Sequence, residues 1–385
     1  MAKGNTSKKN RLTPLSITSR VLLVTLKLAT LLLCLMYMGS AASVWISPAK
    51  FVTPAFLGLA FPIFLLLMLL ALFFWLLAAR WSIVVALVLV LVLSWGSIRS
   101  YMPIHRATSQ DKLPSGVIKV LSYNVMSFGF LEHTPQSPNP ILQFIKSSGA
   151  DIVCLQEAML SSKSSQFVSL EDVKAYLPQY RYRDYRTVQN DAGGGMLLLS
   201  KFPILSSRRL PIESDYNGSV VYVLSVNGQK VTVINNHLES FRLTMEDGKQ
   251  YLKMVKEGDA AALREKMGAK FAPAYRKRSL QADLIHEVIV REGTERIIVC
   301  GDFNDTPISY VRHRIARGLT DTFIASGLGV GVSFNRGYYA VRIDHILCGS
   351  GFKPYNTFVD NTIKASDHFP ILTILDPLFL KPAAN

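Results

Sequence analysis

Two patterns of apolar residues divide the chain. In the first hundred residues the apolar positions form long runs. Val21 to Ile46 is almost wholly apolar, interrupted by Lys27 and a patch of small residues; Pro54 to Ala79 and Trp81 to Ile98 come next, parted by Arg80. Each run is near the roughly 20 residues that cross a bilayer. The pattern therefore predicts three transmembrane helices, about 21–46, 54–79 and 81–98, behind a tail of residues 1–20. Residues 99–116 hold Pro103 and Pro114 with little periodicity and read as a linker. Fully extended, it reaches at most about 60 Å, so the downstream part of the chain either hugs the bilayer or stands off it.

From Val117 onward short apolar runs alternate with helical patterns, which defines a second unit over 117–377 with a tail at 378–385. Strands are expected at Val117–Val125, Ile152–Gln156, Met196–Ser200, Val220–Val226, Lys230–Asn235, Arg296–Gly301, Arg342–Cys348 and Ile371–Leu375. Asn227-Gly228 is a hairpin turn pair between two of them. Helices are expected at Pro140–Ser148, ended by Gly149, and at Arg276–Arg291. Buried strands joined partly by hairpins and partly by helices indicate mixed sheets. A charged, helix-prone stretch from Phe241 to Ala274 interrupts the strand pattern. It reads as a solvated excursion, with a lid over a nearby site as the alternative.

Charge sharpens this division. Residues 1–110 carry ten of the 42 Lys and Arg and no Asp or Glu, which leaves 32 basic residues against all 27 acids downstream. The net charge of the second unit is thus only +5, and the high overall charge is no footprint of nucleic-acid binding there. The tail offers Lys3, Lys8, Lys9, Arg11 and Arg20, and the first loop only Lys50. That asymmetry predicts a cytoplasmic N-terminus and an extracytoplasmic C-terminal unit; Arg99, Arg106 and Lys112 argue the other way. The four cysteines share no ligand spacing and read as small core residues.

The candidate chemistry lies at strand ends. Asn124 ends one apolar run, Gln156 and Glu157 a second, Asn235, Asn236 and His237 a third, and Asp302 and Asn304 a fourth; Asp367 and His368 precede the last. Singly, each has an ordinary reading: a turn residue, a helix-start charge, a satisfied histidine, an Asx turn. Together they supply a carboxylate for water, an amide for phosphate oxygens and an imidazole held by a carboxylate, the needs of metal-assisted hydrolysis of a phosphate ester. Converging carboxylates suit a hard, oxygen-preferring cation.

The same strings carry a resemblance. Ser122-Tyr123-Asn124-Val125, Leu155-Gln156-Glu157, Asn236-His237-Leu238, Gly301-Asp302-Phe303-Asn304, Arg342-Ile343-Asp344-His345 and Ser366-Asp367-His368 occur in the order found in the endonuclease/exonuclease/phosphatase superfamily. The chain resembles that superfamily from about Val117 to Leu375. The resemblance implies an α/β (α+β) four-layer sandwich of two mixed β-sheets flanked by helices, here preceded by the three-helix transmembrane region. It implies that Glu157, with Asn124 beside it, ligates a divalent cation, Mg²⁺ with Mn²⁺ as substitute. Asp302 would orient or deprotonate water, and Asn304 would hold a phosphate oxygen. His237 and His368 would flank the phosphate, with His368 assisting the leaving oxygen. Asp344 and Asp367 would orient the histidines or complete the metal shell. Arg278, with Gln281, fits a helix pattern of the family only loosely; it either contacts substrate phosphate or pairs with a carboxylate. His286, on the same helix, reads as structural.

The implied activity is that of a membrane-anchored, Mg²⁺-dependent phosphodiesterase acting on nucleic acid or a phospholipid head group. A phosphomonoesterase, or a non-catalytic membrane-anchored binding protein on the same scaffold, are the alternatives. No protein partner is implied. The spans, nearly free of ionisable residues, suit an anchor rather than a transport path.

Overall fold

The computed structural model describes residues 14–161, 167–187, 194–336 and 339–380. Lys3, Lys8, Lys9 and Arg11 of the expected basic tail, Gly193 and residues 381–385 lie outside that range.

The N-terminal helices depart from expectation. α1 (Pro14–Ala42) is unbroken over 29 residues, and among the described residues it is the one helix long and apolar enough to cross a membrane unaided. The other two expected spans are bent pairs. α2 (Thr53–Leu59) meets α3 (Phe61–Leu77) at 62°, and α4 (Trp81–Leu93) meets α5 (Trp95–Tyr101) at 61°. Continuous spans over 54–79 and 81–98 are thereby corrected. Pro62 explains the first bend, because proline offers no N–H to the preceding turn and its ring disfavours a helical residue before it. At the second, Ser94 turns its hydroxyl to Leu91 O, 3.1 Å, and to Tyr37 Oη, 2.6 Å, beside the weak helix former Gly96. Trp75 Nε1 donates to Thr30 Oγ1 at 2.9 Å, fastening α3 to α1. Leu32, Leu35, Ile63, Phe73 and Val92 remain exposed.

Segment 99–116 is no free tether. The backbone N–H of His105 donates to Gly327 O at 3.1 Å, and Thr108 and Asn356 exchange two hydrogen bonds of 2.7 Å. The buried guanidinium of Arg342 donates to Ser100 O at 2.6 Å, to Tyr101 O at 3.4 Å and to Val330 O. These contacts hold the domain against the end of α5 and the segment that follows it.

The strands are β1 (Ile118–Asn124), β2 (Ile152–Gln156), β3 (Tyr182–Thr187), β4 (Gly195–Ser200), β5 (Ile204–Arg209), β6 (Gly218–Val226), β7 (Gln229–His237), β8 (Ile297–Asp302), β9 (Thr320–Asp321), β10 (Phe334–Arg336), β11 (Tyr339–Val341), β12 (Asp344–Cys348), β13 (Phe352–Val359) and β14 (Ile371–Pro377). They form two six-stranded mixed sheets, β13-β14-β1-β2-β4-β3 and β5-β6-β7-β8-β12-β9, plus the hairpin β10-β11. Val120, Ile152 and Leu198 of the first sheet meet Tyr222, Val233 and Ile298 of the second in the central core. Helix α6 (Pro140–Ser148) covers the outer face of the first sheet through Ile141, Leu142 and Ile145. The outer face of the second packs on Ala282, Ile285 and Ile289 of the long helix Ala260–Glu292. Four layers result, as the resemblance implied.

That long helix extends the expected Arg276–Arg291 helix back through Pro273 into the charged stretch. The stretch is not simply a solvated excursion. Phe241, Tyr251, Phe271 and Tyr275 pack on Val52, Ala55, Phe56 and Leu59 of α2 and its approach. Its charged residues coat the other side; Thr244 and Asp247 close a capping box at the start of the helix Met245–Glu257.

Candidate active site

Strand register assembles the site. β7 and β8 run parallel with His237 opposite Asp302, and β12 lies antiparallel to β8 with Asp344 opposite Asp302. Three side chains of one sheet thus stand in a row. In the other sheet β1 and β2 run parallel with Asn124 opposite Gln156, one residue before Glu157.

Two amides tie the sheets at this edge. Gln156 Nε2 donates to Asn235 Oδ1 at 2.7 Å, and Asn235 Nδ2 donates to Leu155 O at 3.1 Å. Both are buried in the core, where leaving them unpaired is costly, so they hold the strand ends face to face. Gly301 permits the approach of β8 to β7: its φ is 129°, and a Cβ there would fall on the Asn236 backbone.

The polar groups converge on a cavity of ≈ 480 Å³ lined by Glu157, His237, Asp302, Asn304, Asp367 and His368. Asn124 Nδ2 donates to Glu157 Oε1 at 3.0 Å and to Asp302 Oδ2 at 3.2 Å. His237 Nε2 stands 3.5 Å from Glu157 Oε1 and 3.7 Å from Asp302 Oδ2. His368 Nε2 is 3.6 Å from the same Asp302 oxygen, and its Nδ1 lies 2.8 Å from Asp344 Oδ2. Asp344 therefore serves His368, an assignment the sequence left open. Asp367 turns instead to Arg336, 3.2 Å away. Glu157 and Asn304 sit at φ 51° and 52°, a left-handed backbone that costs a residue such as Glu157 about 1–2 kcal/mol and that asparagine adopts more readily; both line the cavity.

Two expected roles look different in place. Arg278 is buried just behind the cavity lining, against the rings of Phe241 and Tyr275. It pairs with Asp305 at 3.3 Å and donates to Glu239 O at 2.7 Å. Gln281 accepts from Glu239 N at 2.9 Å. Between them they fasten the segment that leaves His237, and Arg278 takes the carboxylate-pairing alternative. Asn304 lines the cavity, but its amide already donates to Leu238 O at 2.9 Å and Asp302 Oδ2 at 3.2 Å. Its first task is to fix Asp302. His286 lies outside the cavity lining.

The electrostatics are polarised. Burial pushes the Asp302 carboxyl up to about 6, Asp344 adds to the rise, and His368 and His237 oppose it. Burial favours a neutral His368, yet Asp344 and Asp302 outweigh it and push its pKa up to about 10. The cavity thus pairs a carboxylate that releases its proton reluctantly with an imidazolium that keeps its own.

Asp302, Asp344 and His368 offer ligand-type atoms within 4.8 Å of one another. The Asp344–His368 half of that group is already joined by a hydrogen bond. Two further oxygen-bearing side chains, Glu157 and Asn124, meet Asp302 on its other side, and carboxylate and amide oxygens are ligands of the kind a hard divalent cation takes.

Several cavity residues went unread in the sequence. Phe334, Arg336 and Tyr339 come from a hairpin too short to leave a periodic signal, and Leu59 comes from α2, nearly a hundred residues before Glu157.

A family model described as the Endonuclease/Exonuclease/phosphatase family matches residues 121–368. A second, a domain of unknown function (DUF8431), matches residues 20–101. No curated protein matches the chain. Among solved structures, truncated Caenorhabditis elegans TDP2 is 17% identical over 68% of this chain and 98% of its own, with a TM-score of 0.45. The human nocturnin catalytic domain with bound sulfate is 16% identical over 68% and 94%, TM-score 0.48. A Bacteroides thetaiotaomicron mannosyl-6-phosphatase is 18% identical over 67% and 99%, TM-score 0.45.

Proposed function

We propose that this chain, which belongs to the endonuclease/exonuclease/phosphatase family, is a membrane-anchored, divalent-metal-dependent phosphodiesterase. The observation that carries the reading is the register that sets His237, Asp302 and Asp344 in one row, opposite Asn124 and Glu157 of the other sheet.

Glu157, with Asn124 and Asp302 beside it, would hold the cation, Mg²⁺ or Mn²⁺, which when bound neutralises phosphate charge and fixes the ester's orientation. Asp302 takes a proton from the attacking water as the water oxygen bonds to phosphorus. His368 gives its Nε2 proton to the leaving oxygen as the old P–O bond breaks. Asp344 holds the His368 ring and its charge. His237 donates to a non-bridging oxygen and stabilises the charge that develops there. Asn304 positions Asp302, and it reaches a phosphate oxygen only by releasing Leu238 O. Asp367 keeps Arg336 at the cavity wall.

We read α1 as one crossing and the bent pairs α2–α3 and α4–α5 as two more, with Phe56 of α2 and Ser100 of α5 at the domain side, where they contact the domain. Residues 99–116 join the anchor to a catalytic unit of 117–377. The basic residues of the first 20 positions favour an N-terminus in the cytoplasm and a catalytic unit outside it.

The test is hydrolysis of bis(4-nitrophenyl) phosphate and 4-nitrophenyl phosphate by the purified full chain, with Mg²⁺, Mn²⁺ or chelator. Metal-dependent release from the diester, lost in Asp302→Asn, is expected. Release from the monoester alone would shift the assignment to a phosphomonoesterase, and release from neither would leave a binding scaffold.

A further inference from the structure

We propose that the substrate is a phosphate ester bearing a long hydrocarbon chain, taken directly from the bilayer, and that α2 and the segment around Phe241 and Phe271 form the wall that receives the chain. This rests on the phosphodiesterase reading of the same cavity.

The cavity has two kinds of wall. Beside the polar groups, Leu59, Phe241, Leu243 and Phe271 line the same space. Leu59 belongs to α2, and two residues later Phe61 begins the apolar helix α3. Two residues span at most about 7 Å, so the start of the apolar helix α3 lies close to the cavity that holds the phosphate-handling groups. A lipid head group spans such a distance; a polynucleotide held above the membrane does not require it.

The wall is continuous. The Phe241 and Phe271 rings stack at 4.3 Å, and Phe271 lies parallel to Phe56 of α2 with centroids 6.1 Å apart. An apolar path therefore runs from α2 to the cavity. At another part of the cavity Phe130 is 58% exposed, where water gives it no partner and a hydrocarbon would.

Cations to track a polyanion are scarce. Arg242 and Arg336 are the lining Lys or Arg residues among those described. Arg336 is paired with Asp367 and Arg242 with Glu239, at 3.2 and 3.5 Å. Nucleic-acid binding draws its affinity from many free phosphate contacts, whereas burial of each methylene favours binding about fourfold.

The experiment uses the full chain in nanodiscs with Mg²⁺ and a series of alkyl 4-nitrophenyl phosphates, methyl to dodecyl, beside a single-stranded oligonucleotide. We expect kcat/KM to rise at least about a hundredfold from methyl to octyl. Leu59→Asp and Phe271→Asp should flatten the series. Leu59→Trp, which fills the wall and keeps it apolar, should move the optimum to shorter chains, a shift that misfolding does not produce. A flat series in an enzyme that cleaves the methyl ester, or preference for the oligonucleotide, would overturn the proposal and leave the phosphodiesterase standing. Cleavage of nothing would overturn both.

Discussion

His368 Nδ1 lies 2.8 Å from Asp344 Oδ2, and both residues are buried, one on the segment before β14 and the other at the start of β12. The pair leaves Nε2 turned toward Asp302 and keeps the ring charged at neutral pH.

This relationship predicts a pH profile. Activity needs Asp302 ionised and His368 protonated, so it should rise through about pH 6 and fall through about pH 10. A cation beside Asp302 moves the lower limb further down. Asp344→Asn removes a carboxylate that raises His368, so the upper limb should move toward neutrality and kcat should drop by about 10²-fold or more. Profiles of kcat for the two proteins check this; an unmoved upper limb contradicts the role of Asp344.

Cation removal gives a second prediction. Chelation should abolish turnover reversibly. Glu157→Gln keeps the shape but loses a charge, so it should need at least about tenfold more Mg²⁺ for half-maximal activity. A titration of rate against free Mg²⁺ reads this directly, and an unchanged midpoint would remove Glu157 from the cation site.

A third concerns Arg342, whose guanidinium collects the carbonyls of Ser100, Tyr101 and Val330 beneath the Phe323 ring. Arg342→Met leaves buried carbonyls unpaired, at a cost of about 2–4 kcal/mol. It should lower the thermal midpoint and open the 99–116 segment to trypsin at Arg106 and Lys112. Protection equal to the parent's would show that other contacts hold the segment.

A fourth concerns Gly301. With φ at 129° and the Asn236 backbone where a Cβ would stand, Gly301→Ala should part β8 from β7 and displace Asp302 from His237. Activity should fall by about 10²-fold or more, whereas Gly258→Ala, with nothing within 4 Å of its Cβ, should cost only the strain of its positive φ, about 1 kcal/mol.

Much of this was legible because chemistry lay at strand ends. Apolar runs of five to nine residues placed β1, β2, β4, β6, β7, β8, β12 and β14 to within two or three residues, and Glu157, His237, Asp302 and His368, at or near the ends of β2, β7, β8 and β14, line the cavity. Edge strands β3, β5 and β13 were missed, since Tyr182–Thr187 and Ile204–Arg209 carry many polar and charged positions. The carboxylate partner of His368 was illegible: Asp344 opens β12 in one sheet and His368 precedes β14 in the other, so their contact depends on how the two sheets face each other. Arg278 was ambiguous because a cation beside a catalytic loop serves substrate or scaffold equally well on paper; depth decides, and it is buried under two rings. The bends in the N-terminal helices were signalled by Pro62 and Gly96, but hydropathy alone runs through both. Leu59 in the cavity wall could be seen only once α2 was folded onto Phe271.

The central claim is that water, handled by Asp302, breaks a phosphate ester bond. The most direct measurement is turnover of a phosphodiester in ¹⁸O-labelled water with Mg²⁺, by mass spectrometry of both products. The account predicts one labelled oxygen in the phosphate product, none in the alcohol, and no labelled product from Asp302→Ala. Label in the alcohol, or undiminished labelling by the Asp302→Ala protein, would contradict it.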